Sequence, residues 1–553
     1  MQHTSALSET SENQVMICDV VIVGAGFAGM YMLHLARSLG LSAVVLEEAY
    51  GVGGTWFWNR YPGARCDVES MQYSYSFSEE LQQEWHWTER YASQPEILAY
   101  ANYVAKKFDL LRDIEFNTRV TRAAFDEGDC RWLVSTDAGR RYRAKWCIMA
   151  TGCLSAAQTP NISGMDSFEG RVFHTGNWPH EAVSLSGQRV GVIGTGSSGI
   201  QVIPELASQA KHLYVFQRTP NFSVPARNRP MDAQYEESWK INYADRRARA
   251  RSLPSGILYD FGERPALAVS SDDRIQEYER RWAEGGTGFM AAYCDLLRNA
   301  EANETAAEFV RGKIRKVVEN PTVAELLTPF DHPIGTKRIC ADTRYFETFN
   351  RENVTLVDLR ANPIRQVSEA GIAVGSEFYE LDTLVLATGF DAITGALNKI
   401  DIIGRQGLTL GEKWRHGPKT FLGLMTSGFP NLFIVTGPGS PSVLTNVIVA
   451  IEDNVKWIAE CIENLAAVGA EFIEATQSAE ELWMEHVGQA ADETLYTRAK
   501  SWYLGVNVPG KQPVFMPYIG GLPNYQKLCE EVAAEGYKGF SIGTPGASAR
   551  LAV

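Results

Sequence analysis

Ile17-Cys18-Asp19-Val20-Val21-Ile22-Val23-Gly24-Ala25-Gly26-Phe27-Ala28-Gly29 carries a β-branched stretch directly into a GxGxxG turn. A helical stretch follows to about Leu39, and a second short strand spans Ala43–Leu46. In such a unit the first glycine makes the tight turn and the second lets a pyrophosphate approach the backbone. The third lets helix and strand pack closely, with the helix N-terminus facing the phosphates. The order returns at Arg189-Val190-Gly191-Val192-Ile193-Gly194-Thr195-Gly196-Ser197-Ser198-Gly199, followed by a helix to about Ala207 and a strand at Leu213–Phe216. One glycine turn is a weak sign. Two in this context, about 170 residues apart, predict an α/β protein with two Rossmann-like dinucleotide-binding domains.

The residue just past each second strand separates the units. Glu47, 23 residues after Gly24, is placed to accept from a ribose 2′-hydroxyl, which FAD and NAD both carry. Arg218, 24 residues after Gly194, is placed for a 2′-phosphate, and so for NADP. The first unit is therefore expected to bind FAD and the second NADPH.

The 553 residues carry 52 basic and 66 acidic side chains, a net charge of −14, which excludes a nucleic-acid partner but leaves room for a local basic pocket. Nine cysteines, none in CxxC spacing, argue against a disulfide framework or a metal site and for a reducing cytoplasm. Residues 1–16 lack the basic start and apolar core of a signal peptide. No run approaches the roughly 18 apolar residues a membrane span needs, so no membrane association is expected. An acidic chain without an apolar stripe is expected to be a monomer.

Between Pro225 and Pro329 charges cluster, glycine thins out and helical spacing dominates, which reads as a helical insertion. Its run Asp245-Arg246-Arg247-Ala248-Arg249-Ala250-Arg251 reads as a solvated helix face. Cys147–Gly152 and Tyr379–Gly389 each read as a buried strand ending in Ala-Thr-Gly, where the chain crosses between units. The expected division is 1–152 (FAD domain, first part), 153–224 (NADP domain, first part), 225–330 (helical subdomain inserted in the NADP domain), 331–390 (NADP domain, second part) and 391–553 (FAD domain, second part). The last ten residues read as a loose tail.

Two further stretches carry a family likeness. Phe168-Glu169-Gly170-Arg171-Val172-Phe173-His174-Thr175-Gly176-Asn177-Trp178-Pro179 resembles the FxGxxxHxxxW(P/D) fingerprint of type I Baeyer–Villiger monooxygenases. Gly53-Gly54-Thr55-Trp56-Phe57-Trp58-Asn59-Arg60-Tyr61-Pro62-Gly63-Ala64-Arg65-Cys66-Asp67 resembles the same family's GGxWxxxx(F/Y)P(G/M)xxxD pattern. Flavin-containing N- and S-oxygenases share the glycine turns and the FxGxxxH core but follow it with an aromatic–lysine pair, where this chain has Trp178-Pro179. The likeness runs from about residue 17 to 542, and Gly335-Thr336-Lys337-Arg338 and Ser501-Trp502-Tyr503 resemble the phenylacetone and steroid monooxygenase branch.

The resemblance implies an FAD-containing enzyme that takes NADPH and molecular oxygen and converts a ketone to an ester or lactone through a C4a-peroxyflavin. Such an anion needs a fixed cation in a water-poor pocket. The family's arginine matches Arg338, and its carboxylate partner matches Asp67, which also raises electron density at the guanidinium during hydride transfer. Lys337 is implied to join Arg218 and Thr219 at the 2′-phosphate, and Trp502 to pack on the nicotinamide or ribose. His174, lying between the nucleotide units, suits gating better than proton transfer. Ser440-Pro441-Ser442-Val443-Leu444 resembles the branch's longer active-site loop and is expected to set substrate size, though a plain strand-to-helix turn is compatible with it. Heteroatom oxygenation is the alternative within flavin chemistry. A flavin disulfide reductase would need a redox cysteine pair, and a nucleotide-sensing protein would not turn over.

Overall fold

A computed structural model describes residues 15–544 and the short strand Arg550–Leu551. Residues 1–14, on which the leader reading mainly rests, lie outside the described residues, as do most of the last ten. Arg550–Leu551, part of that expected tail, pairs antiparallel with Phe540–Gly543.

The strand Val15–Val23 serves two cores. Val20 and Ile22 join one hydrophobic cluster, Val21 and Val23 another. Side chains alternate across a strand, so this one is covered on both faces. Its first residues stay paired with Arg141–Ala144 but lie at the uncovered end of the sheet, where Ile17 is 83% exposed. The strand pairs in parallel with Ala43–Leu46 and with Arg141–Met149. Arg141–Met149 changes partner along its outer edge. Arg141–Ala144 pairs antiparallel with Arg131–Thr136, whereas Cys147–Met149 pairs in parallel with Leu432–Ile434. With Asp401–Ile403, which pairs in parallel with Arg122–Ala124 at the sheet's edge, the C-terminal part of the chain thus supplies two strands to an eight-stranded mixed sheet built mainly from the N-terminal part.

The second sheet has five parallel strands in the spatial order Val354–Asp358, His212–Gln217, Arg189–Ile193, Thr383–Leu386, Arg171–His174. Val190, Val192 and Val385 face one core, and Ile193, Leu384 and Leu386 the other. The stretch 379–386, expected as one strand, is two. Glu377–Glu380 belongs to a three-stranded antiparallel sheet, and Thr383–Leu386 to the parallel one. The break falls at Asp382, whose carboxylate turns to accept from the backbone N–H and the guanidinium of Arg189, each at 2.8 Å.

The two crossings between sheets lie side by side. Gln158 N–H donates to the Gly389 carbonyl (2.9 Å), Asp391 N–H to Ala156 (2.8 Å) and Ile393 N–H to Cys153 (2.7 Å). Two strands of chain zipped together in this way form a narrow joint rather than two independent tethers.

The helices of 225–330 divide between the cores. Trp239 and Tyr243, from Ala233–Ile241 and Tyr243–Arg251, are buried in the first unit's cluster. Tyr278, Ala306, Val310, Ile314 and Leu327 are buried in the second. The arginine run is a solvated face only in part: Asp245 and Arg249 are exposed, but two arginines turn inward. Arg247 is 6% exposed, and Arg251 pairs with the buried carboxylate of Glu452 at 2.8 Å. Charge clustering alone cannot separate a surface helix from one pressed on a polar seam.

Candidate active site

Around the first glycine turn the backbone leaves no room for side chains. A Cβ on Gly29 would stand 1.8 Å from the Gly24 carbonyl oxygen, so the helix Phe27–Ser38 lies as close to its strand as only glycine permits. The equivalent distance at Gly199 is 2.3 Å from Gly194 O. The Gly53–Gly54 segment docks on the first turn: Gly53 N–H donates to Ala25 O at 3.1 Å, and a Cβ on Gly26 would lie 3.5 Å from Gly54 Cα. Two stretches of bare backbone facing each other form a cradle that fits a pyrophosphate. Thr55 opens the short helix that comes next, and Trp56 is buried with its indole N–H donating to Tyr73 Oη at 3.0 Å.

Glu47 ends its strand in a buried position. One carboxylate oxygen accepts from Ala25 N–H (2.6 Å) and the other from Ala49 N–H (2.8 Å). Each oxygen keeps a lone pair for a ribose hydroxyl. Burial raises its pKa, opposed by those two N–H groups. Glu47 is therefore also a clamp on the glycine turn, a role that its spacing in the sequence did not disclose.

The limb after Trp58 reaches across to the second nucleotide unit. Tyr61 Oη donates to Gln201 Oε1 at 2.8 Å and lies beside Ser198, while Gln201 Nε2 donates to Arg65 O at 3.0 Å. Gln201 and Ser198 stand on the helix Ser197–Gln209, which the second glycine turn opens. The limb ends at Asp67.

Asp67 and Arg338 form a two-pronged pair across 271 positions of sequence. Arg338 Nε donates to Asp67 Oδ2 at 2.9 Å and Nη2 to Oδ1 at 2.7 Å. Nη1 donates to the Val443 carbonyl at 2.7 Å. These bonds use three of the guanidinium's five N–H groups, and one N–H on each of Nη1 and Nη2 remains to meet a ligand. The side chain is 31% accessible, so the pair is not a sealed structural salt bridge. Above all the Asp67 carboxylate holds the guanidinium further above its already high ordinary pKa, so the cation persists at every working pH.

Val443 belongs to the loop expected to set substrate size, and its contact with Arg338 was not anticipated. The loop is firmly held. Ser440, Ser442 and Asn446 are buried; Ser440 Oγ donates to Gly437 O (2.7 Å), and Ser442 Oγ lies 3.0 Å from Cys153 Sγ. Pro441 precedes a single 3-10 turn, Ser442–Leu444, and the next helix begins only at Val447. Val443 and Leu444 pack with Cys153, Ile393, Tyr496, Tyr503, Phe515 and Met516 in an apolar cluster. Trp502 is half-buried against it, its ring 4.3 Å from that of Tyr503. Tyr503 lies within electrostatic reach of Arg338. It stands beside Trp502 in the sequence, but residue type gave no signal for it.

The second nucleotide site gathers Gly194, Gly196, Ser197 and Thr219. Thr195 Oγ1 donates to Thr219 O at 3.0 Å, and Ser197 Oγ sits 3.2 Å from Cys340 Sγ. A Cβ on Gly196 would meet nothing within 4 Å, which leaves approach to its backbone open. Arg218 is exposed, and its charge is felt by Lys337, whose pKa is lowered chiefly by burial. The sequence reading missed Asp331, whose Oδ2 lies 3.8 Å from Lys337 Nζ. Arg218→Ala and Lys337→Ala are each expected to raise KM for NADPH about tenfold and leave KM for NADH nearly unchanged, as loss of a charged hydrogen bond to one phosphate requires. Steady-state kinetics with both coenzymes checks this, and an unchanged NADPH/NADH ratio contradicts the assignment.

The fingerprint residues lie at the joint. Phe168 is buried, and a Cβ on Gly170 would stand 2.7 Å from Asp382 O. Trp178 is buried with its ring 5.1 Å from that of Phe173. His174 ends the edge strand Arg171–His174. Its Nδ1 accepts from Gly176 N–H (2.9 Å), and its Nε2 is 3.3 Å from both Gln158 O and Thr388 Oγ1. Since Nδ1 accepts, Nε2 carries the proton and donates to Gln158 O. Burial lowers the ring's pKa, opposed by the bond to Gln158 O. The histidine thus fastens both crossings to the second sheet.

Comparison with known proteins agrees with this geometry. The family model described as pyridine nucleotide-disulphide oxidoreductase matches residues 21–234. The match covers less than half of the chain, and none of the nine cysteines stands in CxxC spacing. A Baeyer-Villiger monooxygenase of Pseudooceanicola batsensis is 42% identical over 94% of this chain and 95% of its own. A phenazine N-monooxygenase of Lysobacter antibioticus is 40% identical over 95% of this chain and 97% of its own. The structure of an oxidised steroid monooxygenase bound to NADP superposes with a TM-score of 0.92 at 52% identity, covering 96% of this chain and 100% of the other. The chain therefore belongs to the Baeyer–Villiger monooxygenases, enzymes that contain FAD and use NADPH.

Proposed function

We propose that this enzyme converts aryl, cyclic or otherwise bulky ketones to esters or lactones, with Arg338 as the fixed cation at the reacting centre. The observation that carries this reading is the Arg338 guanidinium, gripped by Asp67 and by the Val443 carbonyl of the substrate loop. NADPH, O₂, a proton and the ketone are consumed; ester, NADP⁺ and water are formed. FAD, when bound, supplies the two-electron chemistry that links NADPH to O₂.

The chain's own residues have distinct tasks. Gly24, Gly26, Gly29, Glu47, Gly54, Thr55, Trp56 and Asp67 would hold FAD. Gly194, Gly196, Ser197, Ser198, Gly199, Arg218, Thr219, Lys337 and Trp502 would hold NADP. Arg338 stabilises negative charge developing on oxygen, and its orientation is fixed in advance by three hydrogen bonds. The apolar cluster around Tyr503 and Met516 excludes water, which strengthens that interaction. His174 holds the joint through which the nucleotide units shift.

We assign 1–152 and 391–553 to the FAD domain and 153–224 and 331–390 to the NADP domain, supported by the strand pairing of each sheet. Residues 225–330 are assigned to both cores. A monomer in a reducing cytoplasm suits nine unpaired cysteines. Among the described residues no helix is long and apolar enough to cross a membrane.

Heteroatom oxygenation is a second reading, favoured by the likeness to the phenazine N-monooxygenase. A panel of aryl ketones, cyclic ketones, steroids, a sulfide and an aromatic N-heterocycle, with product mass spectrometry, separates the two. Esters or lactones are expected to dominate, and shortening 440–445 is expected to shift the ranking toward different ketone sizes. N-oxides or sulfoxides alone would contradict the first reading. An unchanged ranking would remove the loop from specificity.

A further inference from the structure

The two groups that hold Arg338 stand on separate stretches of chain, and those stretches meet a second time. Asp67 begins a tight segment closed by Gln72 N–H donating to Glu69 O at 2.9 Å. Val443 lies three residues before Asn446, within a turn closed by Thr445 N–H donating to Ser442 O. The Gln72 carbonyl accepts from Asn446 Nδ2 at 2.8 Å. A closed ring of contacts results: Arg338 to Asp67, along the chain to Gln72, across to Asn446, back along the loop to Val443, and again to Arg338.

The same Gln72 carbonyl receives a third element. Arg247 Nη1 donates to it at 2.7 Å, and Nη2 donates to Ser74 Oγ at 2.7 Å. Arg247 comes from the helix Tyr243–Arg251, in the run whose charges suggested a solvent-facing surface. Among the described residues it forms no ion pair. The nearby carboxylate of Glu452 is taken by Arg251 and by the Ser76 backbone N–H and hydroxyl. A desolvated guanidinium on neutral acceptors is costly, and methionine of similar length would cost less. The turn beyond this helix adds two more ties: Leu258 N–H donates to Gln72 Oε1 (2.6 Å), and Asn446 N–H donates to Ser255 O (2.8 Å).

We infer that Arg247 is a positioning residue for the oxygenation step: by holding the shared Gln72 carbonyl, it keeps the Asp67 segment and the substrate loop in the register that aims Arg338. It acts from outside the site: its hydrogen bonds go to Gln72 and Ser74, not to Asp67, Val443 or Arg338. A charged donor on a carbonyl that already has a neutral one adds stiffness rather than satisfying a need, because Asn446 alone still pairs that oxygen. The inference rests on the assignment of Arg338 as the cation at the reacting centre.

The test compares Arg247→Met, Arg247→Lys and Asn446→Ser with the unmodified holoenzyme. The serine variant retains an N-cap hydroxyl for the helix that starts at Val447 but loses the donor to Gln72. Three quantities are read: melting temperature, ester formed per NADPH with peroxide measured separately, and hydrogen exchange of peptides covering 67–76 and 440–447. In Arg247→Met, ester per NADPH is expected to fall about threefold or more, with peroxide rising to match and exchange in both peptides quickening, at an unchanged or higher melting temperature. Arg247→Lys is expected to recover most of the coupling, and Asn446→Ser to uncouple like the methionine variant. A structural brace alone would lower the melting temperature and leave the ester-to-peroxide ratio intact, and that outcome overturns the inference. Should Arg247→Met not fold, wild-type coupling and exchange in Asn446→Ser overturn it equally. Arg338→Ala is run in parallel. If it still forms ester, the reading of Arg338 fails; if it does not, while the other variants couple normally, only the role of Arg247 fails.

Discussion

Arg338→Ala is expected to bind FAD and NADP⁺ as the unmodified chain does and to lose ester formation by a factor on the order of 10²–10³ or more, the usual cost of removing one fixed donor from a developing oxyanion. The geometry says why binding should survive. Its side chain hydrogen-bonds to Asp67 and Val443, and its backbone carbonyl, which an alanine keeps, accepts from Asn221 and Cys340 near the second glycine turn. Asp67 would be left with a carboxylate that has lost two charged donors, so Arg338→Lys is the informative companion. Lysine restores the charge but not the two-pronged grip, and its ammonium is free to tilt. It is expected to recover little activity. NADPH oxidation should continue in both variants, with its electrons leaving as peroxide, which peroxide and ester assays read side by side.

Gly29→Ala is expected to yield protein with at least about tenfold less bound flavin, because a single methyl must fit where the strand-to-helix packing leaves no space. The methyl would sit 1.8 Å from Gly24 O, and that atom is backbone, so no side-chain rotation relieves the clash. The turn has to open, and the pyrophosphate cradle opens with it. Gly196→Ala makes the contrast. Its methyl meets nothing within 4 Å, so the chain should fold and keep its FAD, with the cost appearing only where NADPH approaches that backbone. Flavin absorbance per protein, together with NADP⁺ affinity, distinguishes the two. Full flavin content in Gly29→Ala would contradict the account of that turn.

The residues that were legible from the sequence share a property: their role is fixed by neighbours a few positions away. Both glycine turns, the placement of Glu47 and Arg218 at strand ends, and the Gly53–Asp67 and Phe168–Trp178 stretches all depend on local backbone geometry. The Asp67–Arg338 partnership was reachable only through family likeness, since nothing local in a turn aspartate points 271 positions ahead. Contacts made by backbone atoms left no trace at all. Val443 meets Arg338 through its carbonyl, which every residue type carries, and Gln72 gathers Arg247 and Asn446 in the same way. The arginine run was misread at Arg247 and Arg251 for a related reason. Periodicity locates a helix, but whether its charged face meets water or a seam of carbonyls is decided by the tertiary arrangement. The break at Asp382 was hidden because Tyr379 and Leu381 before it and Leu384–Leu386 after it read as one strand.

The most direct measurement is the isotopic mass of the product formed from a bulky ketone by the purified holoenzyme under ¹⁸O₂ with NADPH. Ketone oxygenation at this site predicts an ester or lactone carrying one ¹⁸O atom, formed in proportion to NADPH consumed and absent from Arg338→Ala. Consumption of NADPH that yields only peroxide, with every ketone returned unchanged, would contradict it.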